Sequence, residues 1–490
     1  MRVKTMQIMW HDEKPVYSVD FHPSGFFATG GGDKDVKVVH DKDLNTSVKH
    51  LGNLIGHTRD VNTVRFSPSG ELLASAGVAG EMFLWKPSTE TQKSFGSEES
   101  DSGWRSSAVL RGHAGDVQDI AWAPDSSALM SGSIENICIM WDVEGASRKC
   151  RLEDHRNYVQ GVAWDPASEF VVSQSADRTC RVYGPKGPVV GKKKAKKAAP
   201  CSSINAELDL QCLHVLSKRA MPASAASPEG EQDTVKAQPH RCSLFHDDQL
   251  NSFFRRLAWS PDGSFLVVPC GQYKQTTDSP TLSTAYVYAR GHWNQPCLRL
   301  PATNKPVVAV RFCPQLFRLQ STVQAPGAAV GKQQAEEAGP STADEQENTA
   351  QQPFQLPYRM VFAIATLDSI IVYDTQKATP LAVLGALHFE AITDLAWSRD
   401  GAYLAVSSYD GFCSIASFEK GELGEAGELQ SQEDGLMSPL PMRQLNAAGT
   451  NLAPRSGIKH TAPAAMDPGL QASTSGQGVK KPRRIAPQAI

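Results

Sequence analysis

No run of about twenty apolar residues occurs in this 490-residue chain, so the sequence offers no membrane-spanning helix of ordinary length. No charged-then-apolar leader follows Met1, and a soluble, non-secreted protein without a membrane partner is expected. The ten cysteines are scattered and form no CxxC pair, so neither a disulfide framework nor a zinc site is indicated. Most of them, such as Cys138, Cys180 and Cys413, read as small apolar strand residues, which suits a reduced cytosolic or nuclear compartment. The net charge of −3 carries no global nucleic-acid signature, so any basic function must be local. Nucleophile elbow, clustered metal ligands and phosphate loop are all missing, and neither catalysis nor a cofactor is expected.

What is present is a degenerate unit that returns along almost the whole chain. Its clearest copies are Asp60-Val-Asn-Thr-Val-Arg-Phe-Ser-Pro-Ser-Gly70, Asp116-Val-Gln-Asp-Ile-Ala-Trp-Ala-Pro-Asp125 and Tyr158-Val-Gln-Gly-Val-Ala-Trp-Asp-Pro166. Each alternates apolar and polar residues and closes on a turn, the pattern of a strand. A second strand such as Leu72–Gly77 follows, then a third that ends in an aromatic at Trp85, Trp141 or Tyr183. One such sheet cannot bury both faces alone, whereas radial stacking of neighbours supplies the missing core. A period of roughly 45 residues with these marks is the WD40 signature. The chain is therefore expected to be all-β, a seven-bladed WD40 β-propeller whose first strands centre on Phe21, Phe66, Trp122, Trp164, Trp259, Phe312 and Trp397. The stretch Val3 to Trp10 is expected to close the ring as the outer strand of the blade that spans Trp397 to Phe418.

The tight turn of such a unit favours Asp after a Gly/Ser-rich strand. Asp33, Asp177 and Asp410 fit, whereas Glu135 and Ala79 replace it in two units. His57, His113 and His155 precede their units by one constant offset, which points to the scaffold rather than to a metal. Together with Trp85 and Trp141 these residues read as structural repeat positions.

Three stretches break the pattern. Low-complexity inserts are expected at about 186–240 and 320–352, and a disordered tail over 424–490, with the propeller over 1–423. The first insert carries Lys192, Lys193, Lys194, Lys196 and Lys197, which read as a nuclear import signal, a nucleic-acid patch or a solvated loop. No aromatics interleave with these lysines, which argues against a stacking surface for bases. The tail ends in Lys480-Lys-Pro-Arg-Arg-Ile-Ala-Pro487, either a basic signal or a linear docking motif with an apolar anchor. Phe253, Arg255 and Arg256 are a candidate partner interface because Phe and Arg are favoured at hot spots. The alternative reading makes Phe254 and Leu257 strand core and leaves the arginines solvated.

Several segments go beyond a generic propeller. They are Trp10-His11 with Lys14-Pro-Val-Tyr-Ser-Val-Asp-Phe21, Phe245-His-Asp-Asp248 with Ser252-Phe-Phe-Arg-Arg-Leu257, and Leu356-Pro-Tyr-Arg-Met-Val-Phe362. Tyr373-Asp-Thr-Gln376 and Ser408-Tyr-Asp-Gly-Phe-Cys-Ser414 complete the set. Together they resemble the middle, WD-repeat subunits of chromatin assembly factor 1, over essentially the whole propeller. The resemblance implies a nuclear histone chaperone complex with a large subunit and a small WD-repeat subunit. Such a complex receives histone H3–H4 from the anti-silencing-function chaperone and deposits it on newly replicated or repaired DNA. DNA is then met through the complex. The resemblance also implies that Arg483, Arg484, Ile485 and Pro487 dock that chaperone, matching the Arg-Arg-Ile motif of the family's tails. The lysine-bearing loop, the second insert and a tail that stops just after the motif depart from the family pattern.

Three rivals stand beside this reading. The related propeller chaperone of the replication-independent pathway shares the opening His and Lys-Pro pattern but carries a large second domain. Ubiquitin-ligase substrate receptors end a blade in Trp-Asp-x-Arg, whereas here Trp141-Asp-Val-Glu144 puts Glu in the Arg position. A propeller enzyme would need a constellation that this sequence does not show.

Overall fold

The computed structural model describes residues 1–6, 11–40, 49–88, 103–186, 209–220, 241–276, 279–320, 354, 356–377 and 379–427. All lie in the larger of the chain's two units, Met1–Gly449; the smaller, Thr450–Ile490, falls outside the described residues. The lysines at 192–197 and the motif at 483–487 also lie outside them.

Among the described residues every regular element is a strand. Seven four-stranded antiparallel sheets form the blades of a propeller. Blade 1 runs Val16–Phe21, Phe27–Gly31, Val36–His40 and Lys49–Leu54 from its inner to its outer strand. The inner strands of blades 2 to 6 are Val61–Phe66, Val117–Trp122, Val159–Trp164, Ala258–Trp259 and Val307–Phe317. Blade 7 combines Ile392–Trp397, Tyr403–Ser408 and Cys413–Ser417 with Arg2–Met6 from the start of the chain. Each expected centre of a first strand falls in such a strand, at its last residue in six blades and in the middle of Val307–Phe317 in blade 6. The closing strand is in the expected place: over Arg2–Met6, Arg2 pairs with Ser417 and Met6 with Cys413, while the rest of the expected Val3 to Trp10 stretch, 7–10, lies outside the described residues.

The alternation of the sequence has a direct structural cause. A blade has two apolar faces, and seven clusters of buried side chains lie between seven pairs of neighbouring blades. Between blades 2 and 3, for example, Ala74, Ala76 and Leu84 meet Ile120, Trp122 and Trp141. Between blades 7 and 1, Ala405 and Ile415 meet Val19, Phe21 and Val39. Each large side chain buried here contributes about 1.5–3 kcal/mol. No blade is stable without both neighbours, so the ring must close.

Two boundaries differ from the sequence expectation. Leu210–Leu216, inside the stretch read as an insert, is the outer strand of blade 4 and pairs with Cys180–Pro185. Only Leu210 and Leu216 at its two ends are buried, and Leu213, His214 and Val215 are exposed in a row, so the strand shows no alternation in the sequence. Lys218–Ala220 and Arg241–Ser243 then pair as a short ribbon. The propeller also continues past 423: Arg318 N–H donates to the Glu425 carbonyl at 2.9 Å, and Phe317 bridges to Ala426.

Six of the inner strands share a register shift at the same place, between Val16 and Ser18, Val61 and Thr63, Val117 and Asp119, Val159 and Gly161, Val307 and Ala309, and Ile392 and Asp394. Such bulges re-aim side chains. Here Ser18, Asp119 and Asp394 follow the bulge and turn toward the axis.

Removing residues 1–6 takes away the outer strand of blade 7 and exposes the edge of Cys413–Ser417. A chain so shortened is expected to melt at a lower temperature and to be cut by protease in blade 7 before blades 2 to 5. An unchanged melting temperature and cleavage pattern would contradict closure by this strand.

Candidate functional site

The recurring His, Ser and Asp residues form one motif repeated around one end of the propeller. In blade 4 the His155 ring contacts Asp177 through Nδ1 at 2.9 Å and the Ser173 hydroxyl through Nε2 at 2.6 Å. In blade 3 Glu135 takes the place of Asp, 3.1 Å from His113 Nδ1, and Trp141 Nε1 donates to Ser131 at 2.8 Å. In blade 2 Trp85 Nε1 donates to Ser75 at 2.8 Å and His57 Nε2 lies 2.7 Å from the same hydroxyl, while Ala79 leaves the acid out. Two further histidines belong to the set. His11 meets Asp33 at 2.6 Å and Thr29 at 2.9 Å, and His388 meets Asp410 at 3.0 Å. Their signal in the sequence is a fixed separation of 22 residues between His and acid.

In His57, His113 and His155 burial works against the charged form of the ring. Burial lowers the His155 ring, and Asp177 offsets that only in part. Burial alone takes His57 down to about 4. A neutral ring donates from Nδ1 to the carboxylate and accepts the Ser hydroxyl at Nε2, which locks the turn into each inner strand. Asp177 meanwhile resists the upward push of burial and is held low by His155, Thr179 and the Arg156 N–H. The carboxylate also takes that N–H at 3.0 Å, so it caps the turn itself. The Ser hydroxyls in these sets, Ser75, Ser131 and Ser173, are buried, so the motif reads as blade architecture.

The second feature lies on the axis. Asp394 of blade 7 accepts from Ser18 at 2.9 Å, from Arg65 at 2.8 Å and from Arg311 at 3.2 Å, and Arg256 also pairs with it. Arg256 comes from blade 5, donates to the Asn62 carbonyl at 2.7 Å and lies 3.9 Å from Asp119. One network thus joins blades 1, 2, 3, 5, 6 and 7 across the axis. Burial alone would raise the Asp394 carboxyl, but Arg256, Arg65 and Arg311 hold it far below the usual carboxylate range. Asp20 shows the opposite balance: burial pushes it up to about 6 against the pull of Arg65. A pocket of about 350 Å³ opens beyond this network, between the ends of the inner strands, with Arg65, Asp119 and Arg311 in its lining.

This geometry corrects the reading of Arg255 and Arg256 as partner contacts, and equally the alternative that they are solvated. Both are fully buried. Arg255 donates to the Ser175 and His246 carbonyls and its own N–H reaches the Gln160 carbonyl at 3.0 Å, so it ties blade 5 to blade 4. A side chain at Gly161 would bring a Cβ to 1.9 Å from the Arg255 carbonyl, so glycine is required there. Phe254 and Leu257 are core, as the alternative held, and Phe253 is 59% exposed. Among the described residues no three His, Cys, Asp or Glu side chains are placed to hold a metal ion.

The folded Asp20 carboxyl keeps its proton up to about pH 6, whereas an unfolded aspartate releases it near pH 4. The folded chain therefore binds the extra proton in that window, and the Asp20 contribution to stability falls as pH rises through it. Asp20→Asn keeps an acceptor for the Phe66 N–H, now 2.8 Å from the carboxylate. This variant is expected to melt higher than wild type at pH 7.5, with the difference shrinking toward pH 4. A variant that melts lower at pH 7.5 would show that the Asp20 charge is needed.

Comparison with known proteins agrees with this architecture. The CAF1B/HIR1 beta-propeller domain matches residues 1–212 and 201–423. The chain is 41% identical over 431 residues to the FAS2 homolog of chromatin assembly factor 1 from Oryza sativa, covering 86% of this chain and 74% of that protein. It is 36% identical to the B-type chromatin assembly factor 1 subunit of Mus musculus, covering 86% and 68%. Protein HIR1 of Kluyveromyces lactis is 26% identical over 90% of this chain but only 48% of its own length. With a family domain along the propeller and such identity across most of both chains, this chain belongs to the CAF1B family of chromatin assembly factor 1 subunits.

Proposed function

We propose that the chain is the scaffold that lets chromatin assembly factor 1 deposit histone H3–H4 on newly replicated or repaired DNA. The observation that carries this reading is the identity with subunits of that complex over 86% of the chain. In it, the propeller joins the large subunit and the small WD-repeat subunit, and the complex rather than this chain meets DNA. The protein works in the nucleus by binding and not by catalysis. Lys192, Lys193, Lys194, Lys196 and Lys197 serve as its import signal.

The tail supplies a second, separable function. Arg483, Arg484, Ile485 and Pro487 dock the anti-silencing-function chaperone. Ile485 provides an apolar anchor and the two guanidiniums pair with carboxylates of that chaperone. Transfer of histones between chaperones needs contacts that form and release readily. A small motif tethered some sixty residues from the propeller meets that need, because the tether raises its local concentration without a large rigid interface.

Replacing Arg483 and Arg484 by alanine is expected to weaken binding of the anti-silencing-function chaperone at least about tenfold, as two charge-assisted contacts are lost. Assembly with the large subunit should be unchanged, measured by co-purification of the reconstituted complex. Loss of both interactions would show that the tail is not a separate module.

A further inference from the structure

Exposed large apolar side chains gather at the propeller end that carries the His–acid pairs. Ile55, Tyr158, Phe253 and Phe389 all lie in turns that lead into an inner strand. Other exposed apolar side chains, such as Leu213, Val215 and Val383, are scattered along outer strands and are ordinary, whereas these four share one end of the ring. Phe389 is the extreme case at 98% exposure.

The ring of Phe389 is held out by a fixed loop. Its N–H donates to Asp410 at 3.0 Å, and Asp410 is itself gripped by His388. On either side, the Ile392 N–H donates to the Leu367 carbonyl at 3.0 Å and the Tyr409 N–H to the Ala391 carbonyl at 3.0 Å. Ordering this loop therefore costs nothing further when a partner arrives. The neighbouring turn at 11–15 reaches the same place: a Cβ on Gly411 would lie 3.0 Å from the Lys14 carbonyl.

Charge selects the partner. The four converging loops, 11–15, 367–369, 386–391 and 409–412, carry Asp12, Glu13, Asp368, Glu390 and Asp410 against Lys14 alone. Five carboxylates around an exposed ring repel nucleic acid, anionic lipid and acidic proteins. A symmetric contact with a second copy would set the same carboxylates against each other.

The geometry points to the seam of blades 6, 7 and 1 around Phe389 as a docking surface for a basic, extended segment of a partner protein. A Lys or Arg of that segment lies over the Phe389 ring, and its neighbours pair with Asp12, Glu13, Asp368 and Glu390. The surface lies on the propeller, and its chemistry does not depend on which complex the chain joins.

The test uses the full-length chain and a fluorescent peptide of about twelve residues, rich in Lys and Arg, with a Glu-rich counterpart. The basic peptide is expected to bind, and more weakly as salt rises. Phe389→Ala should weaken it about fivefold, the size of an exposed cation–ring contact. Asp368→Lys with Glu390→Lys should weaken it at least about tenfold. All these side chains are exposed, and matching thermal melts show that each variant folds. Equal binding to wild type and variants, binding of the Glu-rich peptide, or no binding of either peptide would overturn the proposal. So would concentration-dependent self-association that Phe389→Ala abolishes, since that assigns the ring to a second copy.

Discussion

Asp394 and the guanidiniums of Arg65, Arg256 and Arg311 meet on the propeller axis, and the placing of the inner strands depends on that meeting. Charges removed from water lose several kcal/mol of solvation each, and mutual attraction repays this only when the partners are complete. Here the set is complete only if the inner strands of blades 2, 5, 6 and 7 arrive at one point together. Apolar packing between blades tolerates small slips, whereas this network does not. It converts a ring of sheets into a ring with one register. The bulge repeated near the start of six inner strands serves the same end, since it aims Ser18, Asp119 and Asp394 inward.

The consequence for function is a rigid platform. Each blade is packed on both sides, and each His–acid pair fixes a turn at the rim of the same end. Turns held this way present their side chains in one geometry, which suits a protein that must hold several partners in defined relation.

Much of this was legible in the sequence because strand alternation, turn residues and the repeated aromatic are local signals. The seven first strands and the closing strand were readable for that reason. The axial network was not, because it is assembled from single residues far apart in the chain. Its trace is nonetheless present. Where the aromatic mark of a first strand is Phe21, Phe66 or Phe312, the residue before it is charged, at Asp20, Arg65 and Arg311; where the mark is Trp, that residue is Ala, at Ala121, Ala163, Ala258 and Ala396. The Trp donors then serve the neighbours: Trp122 donates to the Arg65 carbonyl at 2.9 Å and Trp397 to the Arg311 carbonyl at 3.1 Å. Arg255 and Arg256 were misread because hot-spot composition says nothing about depth. The two adjacent arginines, in the extended approach to Ala258–Trp259, reach opposite ways: Arg256 toward the axial network and Arg255 toward a buried turn of blade 4.

The most direct measurement is a double-mutant cycle between Arg256→Met and Asp394→Leu, read by chemical denaturation. If the pair is the structural centre of the ring, each single change leaves a buried charge without its partner. Each should then cost about 3–5 kcal/mol. The double variant should lose less than the sum, with a coupling of about 2 kcal/mol or more. Strictly additive losses, or an Arg256→Met chain as stable as wild type that fails only to bind the large subunit, would contradict this and return Arg256 to the interface.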